Sequence, residues 1–257
     1  MSEAGSSPPD VPEAERGRLF PIALALTAGF TDAFGYLKLH GLLTAHVTGN
    51  LAFMAVGLAQ GNPHVIMKFL ALPFFMVAVG LATGVISWIG HLSRRMLVWS
   101  LLLEAGLFLV CLLAGSVLPP CRSTDDLTGF CIGTILIMTM ATQNAIMRML
   151  LKKLPSTTAM TNNVAEAVVQ WTQWLIGFGR KPSSQDRHEL SERAKLVALT
   201  VSAFGAGAIV GALAAVLLGY AGLIGPIGIL ALLALRTVLI HKKPGPAPAM
   251  SPTPPTL

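Results

Sequence analysis

The chain has 257 residues, of which 53% are hydrophobic and 12% are charged, and its mean hydropathy is +0.67. Soluble domains carry about 25% charged residues, so this composition excludes an ordinary soluble domain and predicts an all-α fold, a polytopic membrane helix bundle. The net charge of +6 comes from short basic clusters between apolar blocks, and aromatic residues make up 7%. This pattern does not indicate nucleic-acid binding, and it places the basic residues where topology signals occur.

The apolar blocks are about 20 residues long, which is enough to cross a ~30 Å hydrocarbon core. A polar loop at 122–126 and a strongly charged loop at 180–195 are predicted between them. Residues 1–18 and 244–257 are rich in Pro and are predicted to be disordered tails of a membrane domain at 19–243. In chain order, we predict helical segments at 19–39, 42–59, 65–89, 97–118, 127–151, 156–178, 196–218 and 223–240.

Two polar motifs recur in the two halves of this domain, about 19–120 and 127–243. Asp32-Ala33 matches Asn144-Ala145, and Thr48-Gly49-Asn50 matches Thr161-Asn162-Asn163, with nearly equal offsets along the chain. Internal repeats determine the architecture of a chain. Two polar motifs inside apolar halves therefore predict two internal repeats around a central polar site.

The third segment of each half also carries a Gly-x-x-x-Gly sequence, Gly80 to Gly84 and Gly207 to Gly211. Glycines four residues apart permit close approach of two helix backbones in a membrane. We interpret both pairs as packing contacts without a functional role.

Two topologies fit these segments, and they differ in whether segments 42–59 and 156–178 cross the membrane. If both cross, eight spans result, and Arg94, Arg95, Arg148, Lys152 and Lys153 lie outside together with Lys38. If both enter and return, only Lys38, Lys68 and Arg122 of the 18 basic residues lie outside. The positive-inside rule favours this second arrangement, six spans plus two re-entrant half-helices in an inverted repeat with cytoplasmic termini. Residues 42–47 would then be extended, and a helix would begin at Thr48.

The first motif, Asp32-Ala33-x-Gly35-Tyr36-Leu37 followed by Thr48-Gly49-Asn50, resembles the YoaK-type membrane proteins, domain-of-unknown-function family 1275. The second motif, Gln143-Asn144-Ala145-x-x-Arg148 with Thr157-Thr158-x-x-Thr161, resembles the same family, although Asn162 stands where members usually have Gly. The resemblance covers about residues 19–240. It implies a multi-pass protein of the bacterial inner membrane and implies neither a substrate nor an activity.

Asp32 lies midway along the first predicted helix. An ionised carboxylate in hydrocarbon is costly, so its side chain must face protein, water or a partner. One interpretation is a cation or proton site, and the other is a structural acid that is neutral or paired with Asn50 or Arg148. Tyr36, one turn further along, is included among the candidate binding residues.

The motifs Thr48-Gly49-Asn50 and Thr161-Asn162-Asn163 both look like helix starts, because Thr and Asn are good N-caps and Gly permits unusual dihedral angles. If both starts meet at the membrane midplane, their free N–H groups would bind anionic or carbonyl groups. The alternative is ordinary capping at the membrane edge.

Gln143, Asn144 and Arg148 lie on the fifth predicted helix, where positions 144 and 148 share one face. They would line a pathway, or Arg148 would extend to the cytoplasmic headgroups. Glu166 is either a capping carboxylate near a helix start or a group beside the pathway. Glu104, also in an apolar segment, has no motif around it and ranks below Asp32.

No Gly-x-Ser-x-Gly, His-Glu-x-x-His or Walker-type sequence is present, so we expect neither enzyme activity nor a cofactor. The spacing of His40, His46 and His64 is not that of metal ligands, and we expect loop or interface histidines. Cys121 and Cys131 flank one loop and form either a disulfide or two free thiols.

We predict a channel or secondary transporter for a small polar or ionic solute. Its site would form where Asp32, Asn50, Asn144 and Asn163 converge, in a chain whose partners are the lipid bilayer and that solute. The alternative is a non-transporting accessory or scaffold protein, in which the polar motifs hold the helices together by hydrogen bonds.

Overall fold

A computed structural model describes residues 18–89, 94–151, 154–158, 160–176 and 184–241, and these residues form an all-helical fold without strands. The predicted tails therefore lie outside the described residues, apart from Arg18. The bounds of most helices agree with the prediction to within about four residues. The elements are α1 (Leu19–Lys38), α2 (Gly49–Ala59), α3 (Ile66–Ile89), α4 (Arg94–Val117), α5 (Leu127–Met149), α6 (Met160–Ile176), α7 (Ser184–Leu217), a 3-10 turn (Gly219–Leu223) and α8 (Ile224–His241).

Six of the eight helices, namely α1, α3, α4, α5, α7 and α8, are long and apolar enough to cross a membrane. Helix α2 has 11 residues and rises about 17 Å, which is too short for a ~30 Å hydrocarbon core. Residues 42–48 are not helical, so segment 42–59 is not the continuous helix that the eight-span arrangement requires. Residues 154–158 are likewise a non-helical stretch before α6.

The predicted loop at 180–195 is wrong from Ser184 onward, because α7 already begins there and runs for 34 residues. Hydropathy identifies only the apolar part of such a helix. Its first turns are rich in Glu, Arg, Lys and Gln, which are good helix formers even where they are polar. Charged contacts also tie this polar end to neighbours, because Arg18 donates to Glu192.

Helices α1 and α5 form the centre of the bundle. In each, 67% of the membrane-length window is buried, against 17–39% in the other four long helices. Helix α1 packs mainly on α7, α5 packs on α3 and α4, and α4 also packs on α8. The site described below is attached to these two central helices.

The α1–α7 interface depends on glycines. A Cβ at Gly207 would lie 2.1 Å from the Leu26 carbonyl oxygen, and one at Gly211 would lie 2.3 Å from that of Phe30. Gly29 on α1 faces the Phe204 carbonyl in the same way, at 2.0 Å. The packing interpretation is confirmed for Gly207 and Gly211.

The same interpretation is wrong for Gly80 and Gly84, because a Cβ at either position would meet nothing within 4 Å. Both glycines lie on an exposed face of α3. The four-residue spacing therefore predicts which face of a helix could approach a neighbour, but it does not predict that a neighbour is there.

The loop at 122–126 anchors two helix starts at once. Asp126 caps α5 through a hydrogen bond from the Gly129 N–H of 2.6 Å. Asp125 accepts the N–H groups of Ile66 at 3.0 Å and Met67 at 2.8 Å, and so caps α3 from the other half of the chain. Since the first N–H groups of a helix have no partner inside it, these two acids connect the two halves.

The three cysteines are free thiols in this structure. Burial, together with the neighbouring Asp126 carboxylate, raises the pKa of the Cys121 thiol to about 11. The thiolate is the reactive form of cysteine, so Cys121 is a poor nucleophile at neutral pH.

Candidate functional site

The loop between α1 and α2 is organised by the buried carboxylate of Asp32. Its Oδ1 atom accepts the backbone N–H groups of Thr44 at 2.8 Å, Ala45 at 2.6 Å and His46 at 3.3 Å. Three consecutive N–H groups that converge on one oxygen make a strong charge-assisted anchor. The non-helical stretch 42–48 is therefore held against the middle of α1 by one side chain.

The same carboxylate holds the His46 imidazole, whose Nδ1 lies 2.5 Å from Asp32 Oδ2. The ring also packs edge-on against Phe204 of α7, with centroids 5.1 Å apart. Sequence reasoning placed His46 among loop or interface histidines and missed this pair. The signal that could have found it is spacing, because His46 follows Asp32 by 14 positions, as Thr158 follows Asn144.

Asn50 closes the first loop from the other side. Its Oδ1 accepts the Leu43 N–H at 2.8 Å, and its Nδ2 donates to the Leu43 carbonyl at 2.7 Å. Thr48 stands at the N-cap of α2 but makes no capping hydrogen bond with its side chain. The predicted capping role is therefore wrong for Thr48, because its backbone is already helical, with φ −66° and ψ −26°, whereas a capping residue is usually extended. It is also wrong for Asn50, whose side chain stabilises the loop rather than the helix end.

The second loop, before α6, is held by amides and hydroxyls. Asn144 Nδ2 donates to Thr158 Oγ1 at 2.7 Å. Gln143 Nε2 donates to Thr157 Oγ1 at 2.9 Å and to the Leu24 carbonyl of α1 at 3.0 Å. Asn163 Nδ2 donates to the Ser156 carbonyl at 2.6 Å, across the same seven positions that separate Asn50 from Leu43. Thr161 and Asn162 lie within the first turn of α6 and are not caps.

The two loops meet at one cavity of about 260 Å³. The first loop, up to the N-cap of α2, forms one wall, and the second loop and the start of α6 form the opposite wall. Helices α3 and α5 each contribute one side chain. The lining residues are Ala45, His46, Val47, Thr48, Phe75, Asn144, Thr158, Met160, Thr161 and Asn162.

Most of the predicted site residues lie at this cavity or directly behind it. Thr48, Asn144, Thr161 and Asn162 line it. A second group stands behind the lining and holds the two loops in place by hydrogen bonds. Of the four polar side chains that were predicted to converge, only Asn144 therefore lines the cavity. The supporting residues are Asp32, Asn50, Gln143 and Asn163, and Gly49 is the first residue of α2.

Tyr36, Arg148 and Glu166 do not line the cavity. Tyr36 is 43% exposed and packs against Phe53. Arg148 is exposed and donates to Asn144 Oδ1 at 2.9 Å rather than pairing with Asp32. Glu166 is no cap, because its carboxylate accepts from Gln170 at 3.1 Å and from Arg193 of α7 at 2.5 Å.

Glu104 is a second acid in the bundle core. It lies on the buried face of α4 with Leu97, Leu101 and Phe108, and it is fully buried. Among the residues that the structure describes, neither carboxyl oxygen has a hydrogen-bond partner. Burying an acid without a hydrogen-bond partner is costly, and Glu104 does not line the cavity. Within the described residues, no group of three His, Cys, Asp or Glu side chains could hold a metal ion.

The fold and the site together define a class of protein: a helical bundle that has, in the described part of the chain, six helices of membrane-spanning length and two short helices whose starts lie at a polar cavity. A family model described as "Protein of unknown function (DUF1275)" matches residues 20–236, and the chain therefore belongs to this family. The predicted family is confirmed, while the match does not carry the YoaK name. No curated protein and no solved structure matches the chain.

Proposed function

We propose that the chain is a channel or secondary transporter for a small polar or ionic solute in the bacterial inner membrane, with both termini cytoplasmic and no catalytic activity. The observation that carries this proposal is the cavity of about 260 Å³, which both loops line. A polar cavity between two short helices, within a bundle of otherwise apolar helices, is typical of transport proteins.

An inverted repeat would explain why the two loops share one cavity. When α1–α4 are exchanged with α5–α8, the pairs of packed helices map onto one another: α1–α7 onto α5–α3, α2–α3 onto α6–α7, and α4–α5 onto α8–α1. The Asp32–His46 and Asn144–Thr158 contacts span the same 14 positions. These correspondences, together with the distribution of basic residues, support the six-span arrangement with two oppositely oriented halves.

The chemistry of the lining indicates the class of solute. Helix α6 begins at the cavity, where a helix N-terminus offers N–H groups and a positive dipole end. The first N–H groups of α2 are already bonded to the carbonyls of His46, Val47 and Thr48, so α2 contributes only its dipole. Among the lining side chains His46 is the ionisable one, and the negative charge of Asp32 behind it is already bound by three N–H groups. The cavity therefore favours a neutral or anionic solute with oxygen acceptors. The cavity volume of about 260 Å³ is enough for a small solute.

Flux into proteoliposomes tests this proposal. We expect purified protein to raise the uptake of at least one probe among urea, acetamide, glycerol, formate and acetate above that of protein-free vesicles. Asn162→Trp should abolish the added flux, because the indole fills the cavity. Val164→Trp is the matched control on the same helix, since Val164 is 42% exposed and does not line the cavity.

The second candidate function is a non-transporting accessory or scaffold protein. The observation that favours it is the Asp32 carboxylate, which is fully occupied in holding its own loop. On this view the polar residues only stabilise helix packing. Absence of flux for every probe, with Asn162→Trp equal to wild type in all assays, would support the scaffold and contradict transport.

A further inference from the structure

A second cavity lies on the opposite face of the central helix α5, between α3 and α4. It has a volume of about 590 Å³. Its lining is apolar apart from Arg95, Ser100 and Thr142, and includes Trp99 and Met138. This cavity is separate from the candidate transport site, because the two share no lining residue. We refer to it as the α3–α4 groove.

The groove has the length of one membrane leaflet. It extends along α3 from Ala78 to Ile89 and along α4 from Arg95 to Leu107. At 1.5 Å per residue these stretches rise about 17 and 18 Å. Half of a ~30 Å hydrocarbon core is about 15 Å, so the groove matches the depth that one acyl chain occupies.

The two ends of the groove differ in polarity. Arg95 lies at the end where α3 finishes and α4 begins, while Ala78 and Leu107 mark an apolar end. Trp88 and Trp99 stand near the Arg95 end and are 88% and 71% exposed. Exposed tryptophans are typical of the headgroup level of a membrane, which places the Arg95 guanidinium among lipid headgroups.

We propose that the α3–α4 groove binds one anionic phospholipid, with an acyl chain along α3 and α4 and the headgroup phosphate on Arg95. Basic pockets between membrane helices on the cytoplasmic side recognise such headgroups. Three features together favour a phospholipid of the cytoplasmic leaflet over a soluble anion. They are the charge of Arg95, the apolar lining as long as one leaflet, and the adjacent tryptophans. The proposal depends on the membrane placement of the six helices and not on transport.

Trp99 lines the groove and reports its occupant. A variant with Trp88, Trp171 and Trp174 replaced by Phe leaves Trp99 as the single fluorophore. In vesicles that contain brominated phosphatidylglycerol or brominated phosphatidylcholine, we expect the anionic lipid to quench Trp99 more strongly at equal mole fraction. Arg95→Gln should lower this preference about five-fold, the size expected for one surface cation.

Two further variants separate the site from general surface charge. Arg122→Gln removes a basic residue from the loop beyond the other end of α4 and should keep the preference. Ala82→Trp fills the apolar lining, and we expect this variant to lose its bound phosphatidylglycerol. Because the new indole would add a second fluorophore, native mass spectrometry replaces quenching as the measurement of bound lipid for this variant. Equal quenching by both lipids, an unchanged preference in Arg95→Gln, or a dimer that shields Trp99 from both lipids would overturn the proposal. The flux measurements are independent of each of these outcomes.

Discussion

The two loops that line the cavity share two side-chain contacts at equal sequence spacing, one across 14 positions and one across seven, but they differ in chemistry. In the first loop an acid and an imidazole lie 2.5 Å apart, and the acid also binds three backbone N–H groups. In the second loop an amide and a hydroxyl make the corresponding contact at 2.7 Å. The first loop is therefore fixed by charge and the second by neutral hydrogen bonds, which contribute about half as much each.

This difference predicts that the first loop is more rigid than the second. A loop with a buried, fully bonded carboxylate is rigid, because each loosened N–H group would leave part of that charge unpaired. A loop held by single neutral bonds opens at lower cost. In the proposed transport cycle, we therefore expect the wall formed by Thr158, Thr161 and Asn162 to move while the wall formed by His46 and Thr48 stays in place.

The largest expected effect comes from Asp32→Ala. This substitution leaves the N–H groups of Thr44, Ala45 and His46 and the His46 ring without their partner. We expect it to lower the free energy of unfolding by about 3–5 kcal/mol. Asn144→Ala removes one neutral bond and should cost about 1 kcal/mol. Unfolding in mixed micelles titrated with dodecyl sulfate measures both. Equal losses for the two variants would show that the first loop is not held by charge.

The next effect compares the two asparagines that close the loops. Asn50→Ala removes two hydrogen bonds to the Leu43 backbone and should cost about 2 kcal/mol. Asn163→Ala removes one bond to the Ser156 carbonyl and should cost about 1 kcal/mol. The same micelle titration, with the two variants run side by side, measures the difference. A reversed order would contradict the proposed rigidity of the first loop.

A smaller effect on stability is expected when the Asp32–His46 pair of the first loop is replaced by the Asn–Thr pair of the second loop. Asp32→Asn alone should be destabilising, because its amide has one acceptor oxygen and cannot keep all the bonds of the carboxylate. Adding His46→Thr recreates the Asn144–Thr158 pair, and we expect it to recover about 1 kcal/mol. Asp32→Asn with His46→Ala is the control and should recover nothing. Simple additivity in both double variants would mean that the two contacts are not equivalent.

The last prediction concerns proximity and changes stability least. Thr48 and Asn162 line the same cavity from opposite walls, so cysteines at these positions should be joined by a short bifunctional thiol reagent in membranes. The background lacks Cys111, Cys121 and Cys131, and cysteines at Thr48 and Val164 serve as the control pair. If both cysteines react individually but no crosslink forms, the two walls are not close together in the membrane, which contradicts a shared cavity.

The sequence predicted the features that depend on local pattern. Apolar runs located all six long helices, and the polar motif at Thr48 located the start of α2 to within one residue. The charged beginning of α7 was missed because hydropathy measures burial in lipid and not helix formation. The capping of α3 by Asp125 joins residues 58 and 59 positions apart, and no local signal encodes such a contact. Likewise, the role of Asp32 as an anchor became clear only from the N–H groups that surround it.

The pairing of α1 with α7 has a consequence for biosynthesis. Helix α1 is synthesised before α7, which begins only at Ser184. At 5–20 residues per second, the delay between the synthesis of the two helices is on the order of ten seconds. During this time α1, the least hydrophobic of the six long helices, has no α7 to cover it. Its hydroxyls are nevertheless satisfied within the helix, because Thr31 donates to the Thr27 carbonyl at 2.7 Å. The Asp32 carboxylate finds its partners only 12 to 14 residues later, so the first loop also protects a nascent helix until the rest of the chain arrives.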